Sequence, residues 1–198
     1  MGLGLLVSDK KTALLLIDIQ QGFDDAAWGE RNNPLAEENA ARLLEFWRKK
    51  NQSIIHICHH STDKNSLLHA SKIGSKFKKI VAPLKGETIF SKSVNSAFIG
   101  TGLEKYLRKE NISSLVICGL TTPHCVSTST RMAANLGFEV VLVSDATAAF
   151  VINAQTPWLK EPDKKLSDPE FIHQMALAQL SGEFAEIALS DEVISKFI

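Results

Sequence analysis

The run from Thr12 to Ile19, TALLLIDI, restricts this chain more than any other feature of its sequence. It is short, almost wholly apolar, and carries one acid, Asp18, near its carboxyl end. A strand with one face in water alternates apolar and polar residues, and this run does not. It therefore predicts a central strand buried on both faces, which requires a sheet covered by helices above and below. The other strand signals fit that frame: Ser53 to Cys58, Glu87 to Phe90, Leu115 to Cys118, Phe138 to Val143 and Glu183 to Leu189. Helical segments lie between them. Leu35 to Lys50 places Ala36, Ala40, Leu43, Leu44 and Trp47 on one face. Gly102 to Glu110 turns Leu103, Tyr106 and Leu107 inward, and His124 to Leu136 forms the next helix. Asp168-Pro169-Glu170 starts a helix running to Leu180, with Ile172, Met175, Ala176 and Leu180 on its inner side, and Ser190 caps a short last one. This alternation predicts an α/β fold: a doubly wound three-layer sandwich around a mostly parallel sheet, formed by 198 residues as a single domain.

In such sheets ligands gather outside the carboxyl ends of the strands, where the strand order reverses. Two chemically conspicuous residues fall at such ends. Cys125 follows the Leu115 to Cys118 strand and the turn Thr121-Thr122-Pro123. Because proline favours the first helical position, Thr122 reads as N-cap, Pro123 as N1 and Cys125 as N3. Unpaired backbone N–H groups and the helix dipole then favour the thiolate and lower the thiol pKa. The same N–H groups, near Thr121 and Cys125, suit a developing oxyanion, unless Thr122 Oγ takes the Cys125 N–H for itself. Against this, an isolated cysteine is more often simply packed in a core. Asp18 follows its strand with no helix start nearby to cap, which favours a functional use. Lys92, after the third strand, reads by itself as a surface lysine.

Candidate substrate contacts are Gln20, Phe23, Trp28, His60 and Phe150, all at segment ends. His56, His59, His60, Asp63 and His69 supply metal-ligand types, but His56 and His59 point to opposite faces of a strand and no HExxH pattern occurs. No bound metal and no cofactor is expected. Gly100 and Gly102 lack the third glycine and the strand-to-helix setting of a nucleotide loop. The irregular stretch from Phe150 to Asp168 is a lid, a subunit contact or a plain connection.

Lysine plus arginine equals aspartate plus glutamate, 22 against 22, and no basic tract occurs, so nucleic acid and anionic membrane are poor partners and a small molecule is the expected one. Three cysteines without a CxxC pair argue against a disulfide framework or structural zinc. MGLGLLVSDKK lacks the parts of a signal peptide and the myristoylation pattern, no apolar run reaches the length of a membrane span, and a cytoplasmic location is expected.

Asp18 in an apolar-strand-Asp-x-Gln setting, Lys92 in Ser-Lys-x-x-x-Ser-Ala-Phe, and Cys125 in Gly-Leu-Thr-Thr-x-x-Cys-Val-x-x-Thr, followed by Gly-Phe-x-Val and Ser-Asp-Ala, resemble the isochorismatase-like cysteine hydrolases. The resemblance spans Thr12 to Phe150. It implies a six-stranded parallel sheet in order 3-2-1-4-5-6, a non-proline cis peptide at Leu120–Thr121, and dimers or tetramers. It also implies a catalytic triad of Asp18, Lys92 and Cys125. Two departures narrow the activity. Classical isochorismatases lack the cysteine, which points toward C–N bonds. The metal motif of nicotinamidases is replaced after Cys58 by His-His-Ser-Thr-Asp. The expected reaction is hydrolysis of a small amide through a thioester, with Asp18 as base, Cys125 as nucleophile and Lys92 holding Asp18 ionised. The alternatives are a nicotinamidase-like or vinyl-ether hydrolase, a non-catalytic small-molecule binder on the same fold, and a redox-sensing thiol. A sensor needs no partnered aspartate and lysine.

Overall fold

A computed structural model describes residues 11–161 and 163–196. The reading of the first ten residues therefore lies outside the described part. Six strands form one parallel sheet in the order β3-β2-β1-β4-β5-β6, as expected. They are β1 (Thr12–Ile17), β2 (Ser53–His59), β3 (Thr88–Lys92), β4 (Ser114–Leu120), β5 (Glu139–Ala148) and β6 (Glu186–Ala188). The helices are α1 (Ala36–Lys49), α2 (Leu103–Lys109), α3 (Ser127–Asn135), α4 (Pro169–Leu180) and α5 (Ser190–Lys196).

The two-residue period of the strands sorts the core into two layers. Ala13, Leu15 and Ile17 of β1 pack with Leu103 and Leu107 of α2, Ala133 of α3 and Leu177 and Leu180 of α4. Leu14 and Leu16 face the other way, onto Ala40, Leu43, Leu44 and Trp47 of α1 and Val193 of α5. Every residue of β1 is buried, which is why its sequence shows no alternation. Asp168 caps α4 by accepting the Glu170 N–H.

Several boundaries differ from the sequence reading, each for a local reason. β1 stops at Ile17 because Asp18 turns into the left-handed region at φ 53°. β2 and β3 both run further than expected, to His59 and Lys92, because those two residues pair across the strands. β6 shrinks to three residues, and Met175 of α4 is 43% exposed instead of inward. From Val151 onward the irregular stretch contains two short 3-10 turns, Val151–Asn153 and Lys164–Ser167, and leaves Trp158 out in solvent.

The strand order reverses between β1 and β4, and one glycine sets how closely they approach. Gly119 sits opposite Ile17 at φ 126°, and a Cβ there would lie 2.0 Å from the Ile17 carbonyl oxygen and 2.7 Å from its nitrogen. Only glycine fits. The next peptide, Leu120–Thr121, is cis, as the resemblance implied. The chain then enters a single π turn, Thr122–Val126, before α3.

Candidate active site

Asp18 and Cys125 follow the carboxyl ends of the two strands at the switch point, and Lys92 ends β3 on the same side. Lys92 and Asp18 have no solvent-exposed side-chain surface, and Cys125 is 8% exposed. Lys92 Nζ donates to Asp18 Oδ2 at 2.5 Å and to Cys125 Sγ at 3.1 Å. Its third proton goes to His59 Nδ1 at 3.0 Å. One ammonium thus fills the space between a carboxylate, a thiol and an imidazole. Asp18 Oδ1 is buried without a partner, on a side chain whose ligand atom lies within 4.8 Å of Cys125 Sγ.

The structure corrects how the cysteine is held. The first turn is a π turn with Thr121, not Thr122, at its N-cap, so Cys125 stands one place further along than the sequence suggested. Thr122 Oγ1 is paired with His173 Nδ1 of α4 at 2.9 Å and caps nothing in its own turn, which removes the competition for the Cys125 N–H. The Thr121 N–H, outside both β4 and the π turn, meets no acceptor in the loop hydrogen-bond network of the described residues.

The ionisation expected from the helix mouth is also corrected. Burial, and then the Asp18 charge, push the Cys125 thiol up to about 12, outweighing the pull of Lys92. Burial likewise holds the Asp18 carboxyl above its ordinary value despite Lys92. At rest the sulfur carries its proton. A dipole worth about 0.3–1 kcal/mol does not overcome the desolvation of a thiolate sealed among side chains.

A cavity of about 180 Å³ opens over the sulfur, lined by Phe23, Trp28, His59, Ser66, Leu68, Asn95, Thr121, His124 and Cys125. Of the expected contacts, Phe23 and Trp28 line this cavity, their rings 4.6 Å apart. Three of the expected contacts are elsewhere. Phe150 lies outside the lining and braces Trp28 at 5.6 Å. Gln20 is fully buried, accepting from the His59 N–H at 2.8 Å and donating to the His59 and Ser75 carbonyls at 3.0 and 2.7 Å. His60 turns aside to Ser91 Oγ at 2.8 Å, because strand alternation gives the cavity side to His59. His56 faces away from the cavity and pairs with Glu87 at 2.8 Å. Asp18, His59 and Cys125 form the one cluster of metal-ligand types among the described residues, and an ion placed among their ligand atoms would collide with the Lys92 ammonium.

A doubly wound parallel sheet with a buried aspartate, lysine and cysteine at its switch point defines a class of hydrolase scaffold, and the comparisons give its family. The Isochorismatase domain model matches residues 12–192, and the chain belongs to the isochorismatase family of hydrolases. It is 47% identical to the uncharacterized isochorismatase family protein YrdC of Bacillus subtilis, over 96% of this chain and 98% of that one. A crystal structure of an isochorismatase-family protein from Chromobacterium violaceum superposes with a TM-score of 0.90 at 40% identity, covering 99% of this chain and 98% of that one. The maleamate amidohydrolase of Pseudomonas putida is 28% identical over 69% of this chain and 71% of its own length.

Proposed function

We propose that this protein is a cysteine-dependent amidohydrolase that cleaves a C–N bond of a small molecule through a thioester. The observation that carries the reading is the single ammonium of Lys92 bonded to both Asp18 and Cys125 at the floor of the cavity. At rest, carboxylate, ammonium and thiol sum to zero charge. Ionising the thiol to solvent leaves a net negative charge in a buried site. Moving its proton to Asp18 instead gives thiolate, ammonium and neutral acid, and the sum stays zero. The raised values of both acids favour this internal transfer, coupled to attack, over a standing thiolate. Sγ then bonds to the carbonyl carbon, and the resulting oxyanion takes the Thr121 and Cys125 N–H groups. Asp18 returns its proton to the leaving amine as the C–N bond breaks, and afterwards takes a proton from the water that opens the thioester. Lys92 compensates whichever of the two partners is negative at each step.

The cavity is smaller than the roughly 300 Å³ at which ordinary ligand pockets begin, so the substrate is a compact amide. The similarity to maleamate amidohydrolase supports the bond type. Self-association into dimers or tetramers is part of the same proposal, supported by the exposed Ile152, Trp158, Leu159 and Met175, and sedimentation velocity tests it. For the chemistry, a panel of small amides is incubated with the protein and the acyl adduct on Cys125 is sought by mass spectrometry after acid quench. Turnover that persists in Cys125→Ala rules the mechanism out.

A further inference from the structure

The His59 imidazole has a fixed tautomer. An ammonium has three protons and no lone pair, so where Lys92 Nζ meets His59 Nδ1 at 3.0 Å the imidazole nitrogen must accept. A neutral ring that accepts at Nδ1 carries its proton on Nε2. Burial and the Lys92 charge push His59 down to about 4, which keeps the ring neutral at physiological pH. Among the described residues its Nε2 has no hydrogen-bond partner and is not one of the buried unpartnered atoms, and the ring it belongs to lines the cavity.

The backbone around this ring is clamped on both sides. The buried Gln20 amide bonds the N–H and the C=O of His59, and ties both to Ser75. Register pairing with Lys92 across β2 and β3 fixes the direction of the side chain. The result is an oriented N–H donor beside the nucleophile, with a ring ligand atom within 4.8 Å of Sγ. Of the rest of the lining, Phe23, Trp28 and Leu68 offer an apolar surface to a small ligand, and Ser66, Asn95, Thr121 and His124 add polar groups.

We propose that His59 Nε2–H selects the substrate: small amides that carry a second oxygen acceptor, a carboxylate or carbonyl, a few bonds from the scissile carbon. This rests on the amidohydrolase reading for the word substrate, but the donor and its ligand preference stand independently of turnover. The reach follows from the spacing. A ring nitrogen of His59 and the sulfur lie within 4.8 Å of each other, so the second acceptor sits only a few bonds from the scissile carbon. Amides with only a hydrocarbon tail leave the N–H facing them unpaired.

The test has two arms. In the first, ¹⁵N NMR of the imidazole nitrogens in the unmodified protein reads the tautomer directly; Nε2–H with bare Nδ1 is expected, and a proton on Nδ1 overturns the proposal whether or not any amide is hydrolysed. In the second, succinamate, succinamide and butyramide are titrated against Cys125→Ala by calorimetry. Succinamate is expected to bind about tenfold or more tighter than butyramide, with succinamide between them. His59→Leu in that background erases the difference. His59→Gln, which offers an acceptor to Lys92 and a donor to the ligand, keeps part of it. Equal binding of the three ligands, or a preference that survives His59→Leu, overturns the inference. If the preference is present while the wild-type protein turns over no amide, the hydrolase reading fails and the donor site stands.

Discussion

Replacing Lys92 with methionine keeps the length of the side chain and removes the charge that Asp18 faces. The pair has no exposed side-chain surface, so water cannot take over from the ammonium, and Oδ1 already lacks a partner. Breaking such a pair costs about 3–5 kcal/mol when the orphaned charge stays ionised. The carboxylate has an escape, because it can bind a proton. Holding an acid with an unfolded pKa near 3.9 neutral at pH 7 costs about 1.4 kcal/mol for each of roughly three units, or about 4 kcal/mol. The two routes agree, so the loss at pH 7 is expected to be about 4 kcal/mol. Its pH dependence identifies the cause. With a raised folded pKa, the native state binds more protons than the unfolded chain, and stability falls as pH rises between the two values. Urea unfolding followed by tryptophan fluorescence is expected to show the variant gaining about 1.4 kcal/mol of stability per unit from pH 7 toward pH 5, and its deficit shrinking by that amount less the wild-type slope. Wild type shares the sign with a shallower slope, since its Asp18 is raised as well. The double variant Asp18→Asn/Lys92→Met is expected to recover most of the loss, because asparagine tolerates the φ of 53° at that position. A deficit below about 1 kcal/mol, or the same deficit at pH 5 and pH 7, would refute a buried ion pair.

Other outcomes follow from the same coordinates. Cys125→Ala is expected to fold normally and to lower kcat for any amide substrate by at least about 10³-fold. Alkylation of Cys125 by iodoacetamide in the resting protein is expected to rise about tenfold per unit from pH 7 to pH 9 without a plateau, as a thiol near 12 requires; a plateau near neutrality means a resting thiolate. The acid limb of kcat/KM is expected above the ordinary aspartate value of about 4, since Asp18 must be ionised to take the thiol proton and burial raises it. Gly119→Ala is expected to cost at least about 3 kcal/mol or to prevent soluble expression, because the added methyl meets the Ile17 backbone and not a movable side chain. A thermal shift near zero for that variant would mean that β1 and β4 can separate.

What could be read from the sequence was what one-dimensional pattern encodes. Uniform apolar runs told a two-faced sheet, its alternation with helices told parallel strands, and the ends of two of those strands held Asp18 and Cys125. Lys92 had no local signal at all; its role came from resemblance to a family motif, and physically from a register pairing with His59 that only the assembled sheet displays. That pairing also separates the two histidines, His59 lining the cavity and His60 bonding Ser91. Ending β2 at Cys58 left the directions of His59 and His60 undetermined, and one further residue of strand, continuing the alternation, assigns His59 to the cavity. The wall opposite was hidden for a different reason. Gly74 packs so tightly that a Cβ there would lie 2.4 Å from the Leu67 carbonyl and 3.0 Å from Gly22 Cα, and the 61–75 loop folded back at this point brings Ser66 and Leu68 into the lining beside Phe23 and Trp28. The same enclosure decides the state of the sulfur. A helix mouth viewed alone predicts a thiolate, but closing a cavity over it removes the water that a standing charge needs. In the proposed mechanism the proton is therefore kept within the cluster and moved between Asp18 and Cys125. A lysine fixed between the two, and not the helix dipole, is then what makes that transfer possible.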